Sequence, residues 1–214
     1  MPVPDLHGPD ELKALVEEAL ERLDLWPELH GQATSVRYAL EVGGKRVRPV
    51  IALAVGEALG APVEQVMPAA LAIELVHTFS LVHDDLPALD DDDERRGRPS
   101  AHVAHGEGVA LLAGYVAELA RDHAERRPCE LPREARIPDA DQAPWRAFGE
   151  ELGLLFQVVD DLLDGDGVVE RMGADAARVL ADEAAGSARD RLTAVPADTS
   201  VLLELVDGLA IRTS

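Results

Sequence analysis

The chain has 214 residues, enough to bury a core, and its hydrophobic content of 47% argues against disorder. Its formal net charge of −21 argues against binding to nucleic acid or to an anionic membrane surface, because both depend on Lys and Arg side chains. Any anionic ligand would need a local basic patch or bound cations. The single cysteine, Cys129, rules out an intrachain disulfide and fits a reducing cytoplasm.

Apolar residues recur at helical spacing along most of the chain, and no segment has the period of a strand. The predicted helices cover residues 12–23, 35–41, 49–59, 67–83, 100–126, 148–163, 174–190 and 200–211. Residues 127–144 contain four prolines and no apolar period, which predicts a linker or surface loop. The longest apolar stretch, residues 69–82, is interrupted by Glu74 and His77, so no membrane span is expected. We therefore expect one all-α domain over residues 1–214.

An acidic segment directly follows the most apolar predicted helix. Residues 84–94 contain seven carboxylates, and Pro87 ends the helix so that Asp84-Asp85 and Asp90-Asp91 can fold back towards one point. Carboxylates this close repel one another unless a cation lies among them, and hard oxygen ligands of this kind suit Mg²⁺. Two arginines, Arg95 and Arg96, come next. The pattern is typical of a metal and phosphate site, although a solvated acidic loop would also give it.

A second acidic cluster lies on the helix predicted over residues 148–163. Asp160 and Asp164 are one turn apart, Asp161 and Asp164 are three residues apart, and Gln157 leads onto the same side. Three carboxylates on an otherwise apolar helix are costly unless they are solvated or paired with cations. The stripe is therefore either the wet face of the helix or a second metal-binding element.

A basic segment stands out in a chain with only 20 Lys and Arg residues. Residues 43–49 read GGKRVRP, so that Lys45, Arg46 and Arg48 lie beside a helix start, with glycines that allow a close backbone approach. This predicts a phosphate-binding loop or a solvated turn. His77 lies seven residues before Asp84 and therefore on a similar helix face. It is either a core histidine or part of the same site.

Three segments together resemble the trans-isoprenyl (polyprenyl) diphosphate synthases, most closely the bacterial farnesyl and geranylgeranyl diphosphate synthases. They are GGKRVRP at 43–49, ELVHTFSLVHDDLPALDDDDERRGRPSAH at 74–102 and LGLLFQVVDDLLD at 152–164. The resemblance is dense over residues 35–114 and returns over 149–175. It implies an antiparallel helix bundle around a central cavity.

The resemblance also implies the roles of individual residues. The first aspartate-rich motif of the family matches Asp84, Asp85, Asp90 and Asp91, and the second matches Asp160, Asp161 and Asp164. Between them, Mg²⁺ ions would hold the diphosphate of an allylic substrate, aided by Arg95. The pocket for isopentenyl diphosphate matches Lys45, Arg48, His77 and Arg96. The catalytic set would then comprise Asp84, Asp85, Asp90, Arg95 and Asp160.

The implied activity is an Mg²⁺-dependent condensation of isopentenyl diphosphate with an allylic diphosphate, giving farnesyl or geranylgeranyl diphosphate. The family commonly forms dimers, so a homodimer or a heteromeric partner is expected. The chain departs from the family after Gly114, where Tyr115 replaces an aspartate and a large central block is missing. The bundle is therefore expected to be shortened.

The missing block leaves several alternatives. The chain could be a non-catalytic diphosphate-binding homologue or a subunit that needs a complete partner. It could also derive from an ordinary synthase through an internal deletion of its gene. An acidic interaction module that binds Ca²⁺ or Mg²⁺ incidentally would give no reason for Lys45, Arg48 and Arg96.

Overall fold

The computed structural model describes residues 6–23, 32–113 and 142–211, and in these ranges the chain is almost entirely helical. The helices are α1 (Pro9–Glu21), α2 (Ala33–Glu41), α3 (Val47–Ala58), α4 (Val63–Asp84), α5 (Ala101–His105), α6 (Gln142–Asp164), α7 (Gly167–Met172), α8 (Ala174–Thr193) and α9 (Ser200–Ala210). The predicted all-α fold is confirmed. Within the described ranges the exception is an antiparallel hairpin of β1 (Glu94–Arg95) and β2 (Arg98–Pro99), whose strands are too short to give a sequence period.

The described residues fall into two compact units. The N-terminal unit comprises residues 10–23, 32–53 and 62–113, and the C-terminal unit comprises residues 6–9, 54–61 and 142–211. Helix α3 contributes to both units, since it runs from residue 47 to residue 58. The single domain expected over residues 1–214 stays a prediction.

In the N-terminal unit, α2 packs on α4 and α5. A buried cluster forms where these helices meet the end of α4, and it consists of Ala39, Val82, Leu86, Ala101 and Ala110. Leu86 directly follows Asp84-Asp85, so its burial fixes the acidic segment to the core. The first aspartate cluster therefore leaves the helix from a rigid position.

Helix α4 begins four residues earlier than the sequence predicts. Val63 is buried at its start, and Pro68 lies inside the helix. By length and composition alone this helix could cross a membrane, and part of it is buried within the protein. It also carries Glu74, which is buried and forms an ion pair with Arg46. That buried ion pair is typical of a helix in a protein core, because a charge needs a partner where water is excluded.

In the C-terminal unit, α6 packs along α8, and α9 contacts both. The buried face of α6 is formed by large apolar side chains, among them Phe148, Leu152 and Leu155. The buried face of α8 is mostly alanine, at positions 177, 181, 184, 185 and 188. Small side chains on one helix let the larger ones of the other fill the interface.

Two further predictions of helix bounds are wrong. Residues 142–144, placed in the loop, form the first turn of α6, where Pro144 is tolerated because few backbone N–H groups there have helical partners. The helix predicted over residues 100–126 is interrupted at Gly106, whose φ is 90°, and residues 107–113 resume a helix. Residues 114–126 and 127–141 lie outside the described ranges. The short helix α7 was not predicted.

Candidate functional site

The acidic segment after α4 folds back on itself. The backbone N–H of Asp90 donates to the carbonyl of Asp84 (2.9 Å), and the N–H of Asp91 donates to the carbonyl of Leu86 (3.2 Å). Asp91 has a φ of 55°, a left-handed conformation that reverses the chain. The predicted return of Asp90 towards Asp84 is thus confirmed for the backbone. The side chains of Asp90 and Asp91 are exposed, and Asp84 is half-buried.

Asp85 differs from its neighbours because it is buried, with 2% of its surface exposed. Arg95 Nε donates to its Oδ1 and Oδ2 at 2.7 and 2.8 Å, and Arg95 Nη2 donates to Oδ1 at 2.5 Å. These bonds raise the pKa of Arg95 against the opposing effect of burial. The pair ties the start of the acidic segment to the hairpin that follows it.

The β1–β2 hairpin is also fixed to α2. Tyr38 Oη donates to the carbonyl of Pro99 at 2.6 Å, and the guanidinium of Arg98 lies 4.5 Å from the centre of the Tyr38 ring. The ring of His105 meets the edge of Tyr38 at 4.8 Å. The hydrogen bond from Tyr38 to Pro99 could not be predicted from the sequence, because the two residues are 61 positions apart. The contacts of Tyr38 hold the hairpin in place, with Arg95 in β1 and Arg96 in the turn between the strands.

A group of basic side chains gathers where the loop of residues 43–46 meets α4. Arg48 Nη1 lies 3.2 Å from His77 Nε2, and Arg96 Nη1 donates to the carbonyl of Gly43. The guanidinium of Arg96 also lies close over Gly44, where a Cβ would come within 2.5 Å of Nη1 and would require the arginine side chain to shift. Of the four residues predicted for one pocket, the structure brings Arg48, His77 and Arg96 to this loop. Lys45 is exposed in the loop itself.

The electrostatics of this group favour an anionic ligand. Burial lowers the pKa of His77, and Arg48 lowers it further, while Glu74 opposes both. Burial also lowers the pKa of Arg96, which lies near Arg46 and Arg95. A ligand with negative oxygens would relieve this crowding of positive charge. A small cleft, open to solvent and lined in part by His77, Asp85, Arg95 and Arg96, adjoins the group.

One cation of the basic segment is not a surface residue. Arg46, which the sequence grouped with Lys45 and Arg48, is buried and bonded to Glu17 and Glu74. Sequence reasoning missed both carboxylates, since Glu17 lies in α1 and Glu74 in the apolar run of α4. The presence of the charged residue Glu74 in such an apolar helix was the signal in the sequence that could have indicated a buried ion pair.

In the second aspartate cluster, Asp161 is the buried member, with 6% of its surface exposed. Its Oδ1 accepts from Gln157 Nε2 at 2.6 Å, and its Oδ2 accepts from the backbone N–H of Val168 at 2.7 Å. Gln157 lies on the same side of the helix, as predicted. Asp160 and Asp164 are exposed. In Asp84-Asp85 and in Asp160-Asp161, therefore, the second residue is buried and its two oxygens accept from protein donors.

Among the side chains that the structure describes, no group of three His, Cys, Asp or Glu residues is arranged to hold a metal ion. The carboxylates of Asp90 and Asp91 are exposed and that of Asp84 is half-buried, on a backbone that folds back on itself. Neighbouring carboxylates repel one another unless a cation lies among them.

The fold identifies a class. It matches all-helical prenyl-transferring enzymes of known structure, among them a geranyltransferase from Legionella pneumophila, with a TM-score of 0.84, 22% identity and 96% of each chain covered. A geranyltranstransferase from Thermotoga maritima matches with a TM-score of 0.74 and 26% identity, over 97% of this chain and 99% of the other.

The sequence comparisons identify the family. A model of the polyprenyl synthetase family matches residues 32–121. A geranylgeranyl pyrophosphate synthase of Capsicum annuum is 32% identical over 227 positions, covering 77% of this chain and 62% of the relative. A farnesyl diphosphate synthase of Geobacillus stearothermophilus is 47% identical over 108 residues, covering 49% and 36%. The chain belongs to the trans-isoprenyl diphosphate synthase family.

The chain is shorter than these relatives. It covers 62% of the Capsicum protein and 36% of the Geobacillus protein. The alignment with the Capsicum protein has 227 positions, more than the 214 residues of the whole chain. That alignment therefore contains positions at which the relative has residues and this chain has none. This agrees with the missing block found in the sequence.

Proposed function

We propose that the protein is an Mg²⁺-dependent trans-prenyltransferase that condenses isopentenyl diphosphate with an allylic diphosphate. The observation that carries the proposal is the grouping of Arg48, His77 and Arg96 in the same unit as the folded-back acidic turn. Such an arrangement offers one place for a diphosphate bound by cationic side chains and another for a diphosphate bound through metal ions. The relatives named as farnesyl and geranylgeranyl diphosphate synthases support it.

The basic group would bind isopentenyl diphosphate. Lys45, Arg48 and Arg96 would neutralise its phosphate oxygens. His77, whose pKa is lowered, would be neutral at pH 7 and would supply a hydrogen bond. The substrate's double bond would remain unhindered as the nucleophile. In the reaction the allylic C–O bond breaks and its electron pair leaves with the diphosphate, while the double bond of isopentenyl diphosphate supplies the electron pair of the new C–C bond. The proton lost from the isopentenyl unit would pass to the released diphosphate.

The acidic turns fit Mg²⁺ by the chemistry of their donors, since hard carboxylate oxygens are the ligands this ion takes. In the first motif Asp84, Asp90 and Asp91 would hold such an ion, and in the second motif Asp160 and Asp164 would do so. The ion would stabilise the charge of the departing allylic diphosphate.

Asp85 and Asp161 were also predicted as ligands. Because their oxygens already accept hydrogen bonds from protein groups, we propose that they hold the two motifs in shape. Arg95, bonded to Asp85, would add positive charge beside the first turn.

Assembly and location belong to the same proposal. We propose a homodimer in the cytoplasm, in keeping with the lone cysteine and the buried ion pair of α4. Two relatives from Arabidopsis thaliana are named as large subunits of heterodimeric geranylgeranyl pyrophosphate synthases. A heteromeric partner is therefore the alternative.

A second candidate function is diphosphate binding without catalysis. The chain's coverage of 62% of the Capsicum protein and 36% of the Geobacillus protein favours it, because a synthase that lacks a central block could keep its binding residues and lose turnover. The same assay separates the two candidates.

The test is product formation from isopentenyl diphosphate and an allylic diphosphate, measured by mass spectrometry with Mg²⁺ or with EDTA. We expect a prenyl product that requires Mg²⁺ and is lost in Asp84→Ala. The matched control is Glu64→Ala, an exposed acid about 30 Å from Asp84 along α4. No product, with diphosphate binding retained, would establish the binding function instead.

A further inference from the structure

The guanidinium of Arg46 lies at the centre of a buried network, with only 4% of the residue exposed. Its Nε and Nη2 donate to Glu17 at 2.9 and 3.3 Å, and its Nη1 donates to Glu74 Oε1 at 2.7 Å. Nη2 also donates to the carbonyl of Leu40 at 2.8 Å. One side chain thus joins α1, the last turn of α2 and the middle of α4.

This arrangement is costly. A buried guanidinium loses its hydration, and desolvation is indeed the largest effect on its pKa, although hydrogen bonds to Glu17 and Glu74 raise the pKa overall. The backbone of Arg46 also adopts a left-handed φ of 50°. Such strain persists where the surrounding contacts impose it, and it concentrates at functional sites. An apolar residue would fill the same space without the cost of desolvation.

The spacing of the contacts shows what the network supports. Glu74 and His77 are one turn apart on α4, and Arg46 and Arg48 are two residues apart in the chain. Arg46 bonds to Glu74 and Arg48 approaches His77, so the basic segment is attached to α4 at two successive points. Fixing the first point therefore determines where Arg48 meets His77.

The network also controls a competing negative charge. Glu74 lines the same cleft as His77 and Arg96, and its charge raises the pKa of both groups. A carboxylate without its own partner there would attract these cations and would oppose a bound anion. Arg46 gives Glu74 a partner at 2.7 Å and so leaves the cations to a ligand.

We infer that Arg46 is a positioning residue for the isopentenyl diphosphate site. It does not touch the diphosphate. It fixes the loop that carries Lys45 and Arg48, and it neutralises Glu74 within the cleft. The inference rests on the proposed function, because it assumes that this group of cations binds the diphosphate of isopentenyl diphosphate.

The test uses four variants of the full chain: Arg46→Lys, Arg46→Met, the double variant Arg46→Met with Glu74→Gln, and Arg48→Met as a direct-contact comparator. Calorimetry measures the affinity for isopentenyl diphosphate and for inorganic diphosphate, at a temperature where each variant is shown to be folded. We expect Arg46→Lys to fold and to lose affinity about tenfold, equivalent to about 1.4 kcal/mol.

We expect Arg46→Met to lose more affinity and the double variant to regain part of it, because the uncompensated Glu74 is then neutral. If Arg46→Met does not fold, Arg46→Lys still decides the question. In turnover assays the loss should appear in KM, with kcat changed less than about twofold, since Arg46 would not contact the reacting atoms.

The outcomes separate the inference from the function on which it rests. If the folded Arg46 variants bind both ligands as tightly as the wild type while Arg48→Met does not, Arg46 is only a stabilising residue and the inference is wrong. If the wild type and Arg48→Met bind equally, or neither binds, the proposed diphosphate site itself is wrong and the inference fails with it.

Discussion

The imidazole of His77 lies among opposing charges. Three guanidinium groups, those of Arg48, Arg95 and Arg96, act against its protonation, and the carboxylate of Glu74 acts in favour of it. Burial adds the largest effect and, with the arginines, lowers the pKa of His77 below its ordinary value of 6.5. The ring is therefore a neutral hydrogen-bonding group at the pH at which a diphosphate would bind.

This shift predicts a pH dependence of stability. Above pH 6.5 the ring is neutral in both the folded and the unfolded chain, and its full contribution to the free energy of unfolding is present. As the pH falls from there to the lower pKa of the folded state, only the unfolded chain gains the proton, so the free energy of unfolding decreases. We expect urea denaturation from pH 8 to pH 5 to show a steeper loss for the wild type than for His77→Gln. Parallel curves for the two proteins would contradict the shifted pKa.

At the scale of single residues, the sequence predicted which side chains belong to the candidate site more reliably than it predicted their contacts. Arg48, His77 and Arg96 meet at one loop, as their chemistry suggested. Arg46 could not be distinguished from its neighbours, because its burial depends on Glu17, which is 29 positions away. A contact between distant residues leaves no local pattern in the sequence.

At the scale of secondary-structure elements, the second aspartate cluster shows how a side chain can hold two helices together. Asp161 lies near the end of α6, and its Oδ2 accepts from the N–H of Val168, at the start of α7. The first N–H groups of a helix have no partner within it, so this carboxylate supplies one. The bond fixes the chain as it leaves the motif.

We expect Asp161→Asn to lower the free energy of unfolding by about 1–3 kcal/mol, because an amide presents an N–H group to one of the two donors that the carboxylate satisfies. Glu150→Gln, an exposed change on the same helix, should alter stability by less than about 0.5 kcal/mol. Urea denaturation of both variants measures the difference. Equal stabilities would show that the buried carboxylate contributes nothing that an amide cannot.

The helices themselves were largely predictable, since their apolar periods are strong. The errors lie at ends and in short pieces. Helix α7 has six residues and no buried side chain, so it has no apolar period. The β1–β2 hairpin depends on the contact of Tyr38 with Pro99, and the earlier start of α4 depends on the burial of Val63. These features arise from packing, which the local sequence does not encode.

At the scale of the whole molecule, the charge of −21 implies that bound cations should stabilise the fold. A ligand that binds only the folded state raises stability by about 2.7 kcal/mol at one hundred times its Kd. We expect Mg²⁺ with inorganic diphosphate to raise the Tm in calorimetry, and NaCl at equal ionic strength to raise it less. The part of the Tm increase that NaCl does not reproduce should disappear with EDTA and in Asp84→Ala. An equal rise with NaCl would indicate general screening alone.

The length of the chain is also a property of the whole molecule. The sequence predicted a missing block, and the comparison with the Capsicum protein agrees with it. Because residues 32–121 carry the family match, the basic loop and the first acidic turn are the best-supported parts of the proposed site. The second aspartate cluster lies outside that match, and its role depends on the experiments above.

Three polar residues at the edges of the proposed site, Arg46, Asp91 and Arg96, have φ values of 50–55°. For any residue other than glycine this conformation costs about 1 kcal/mol or more. At Asp91 and Arg96, which are exposed, selection for thermal stability alone would therefore favour glycine, and each replacement would remove a charge from the proposed site. At Arg46 the strain persists for another reason, because a replacement would leave Glu74 buried without its ion pair. A search for hardier variants of this protein should therefore reach Asp91 and Arg96 first, and we expect those variants to have lost ligand binding.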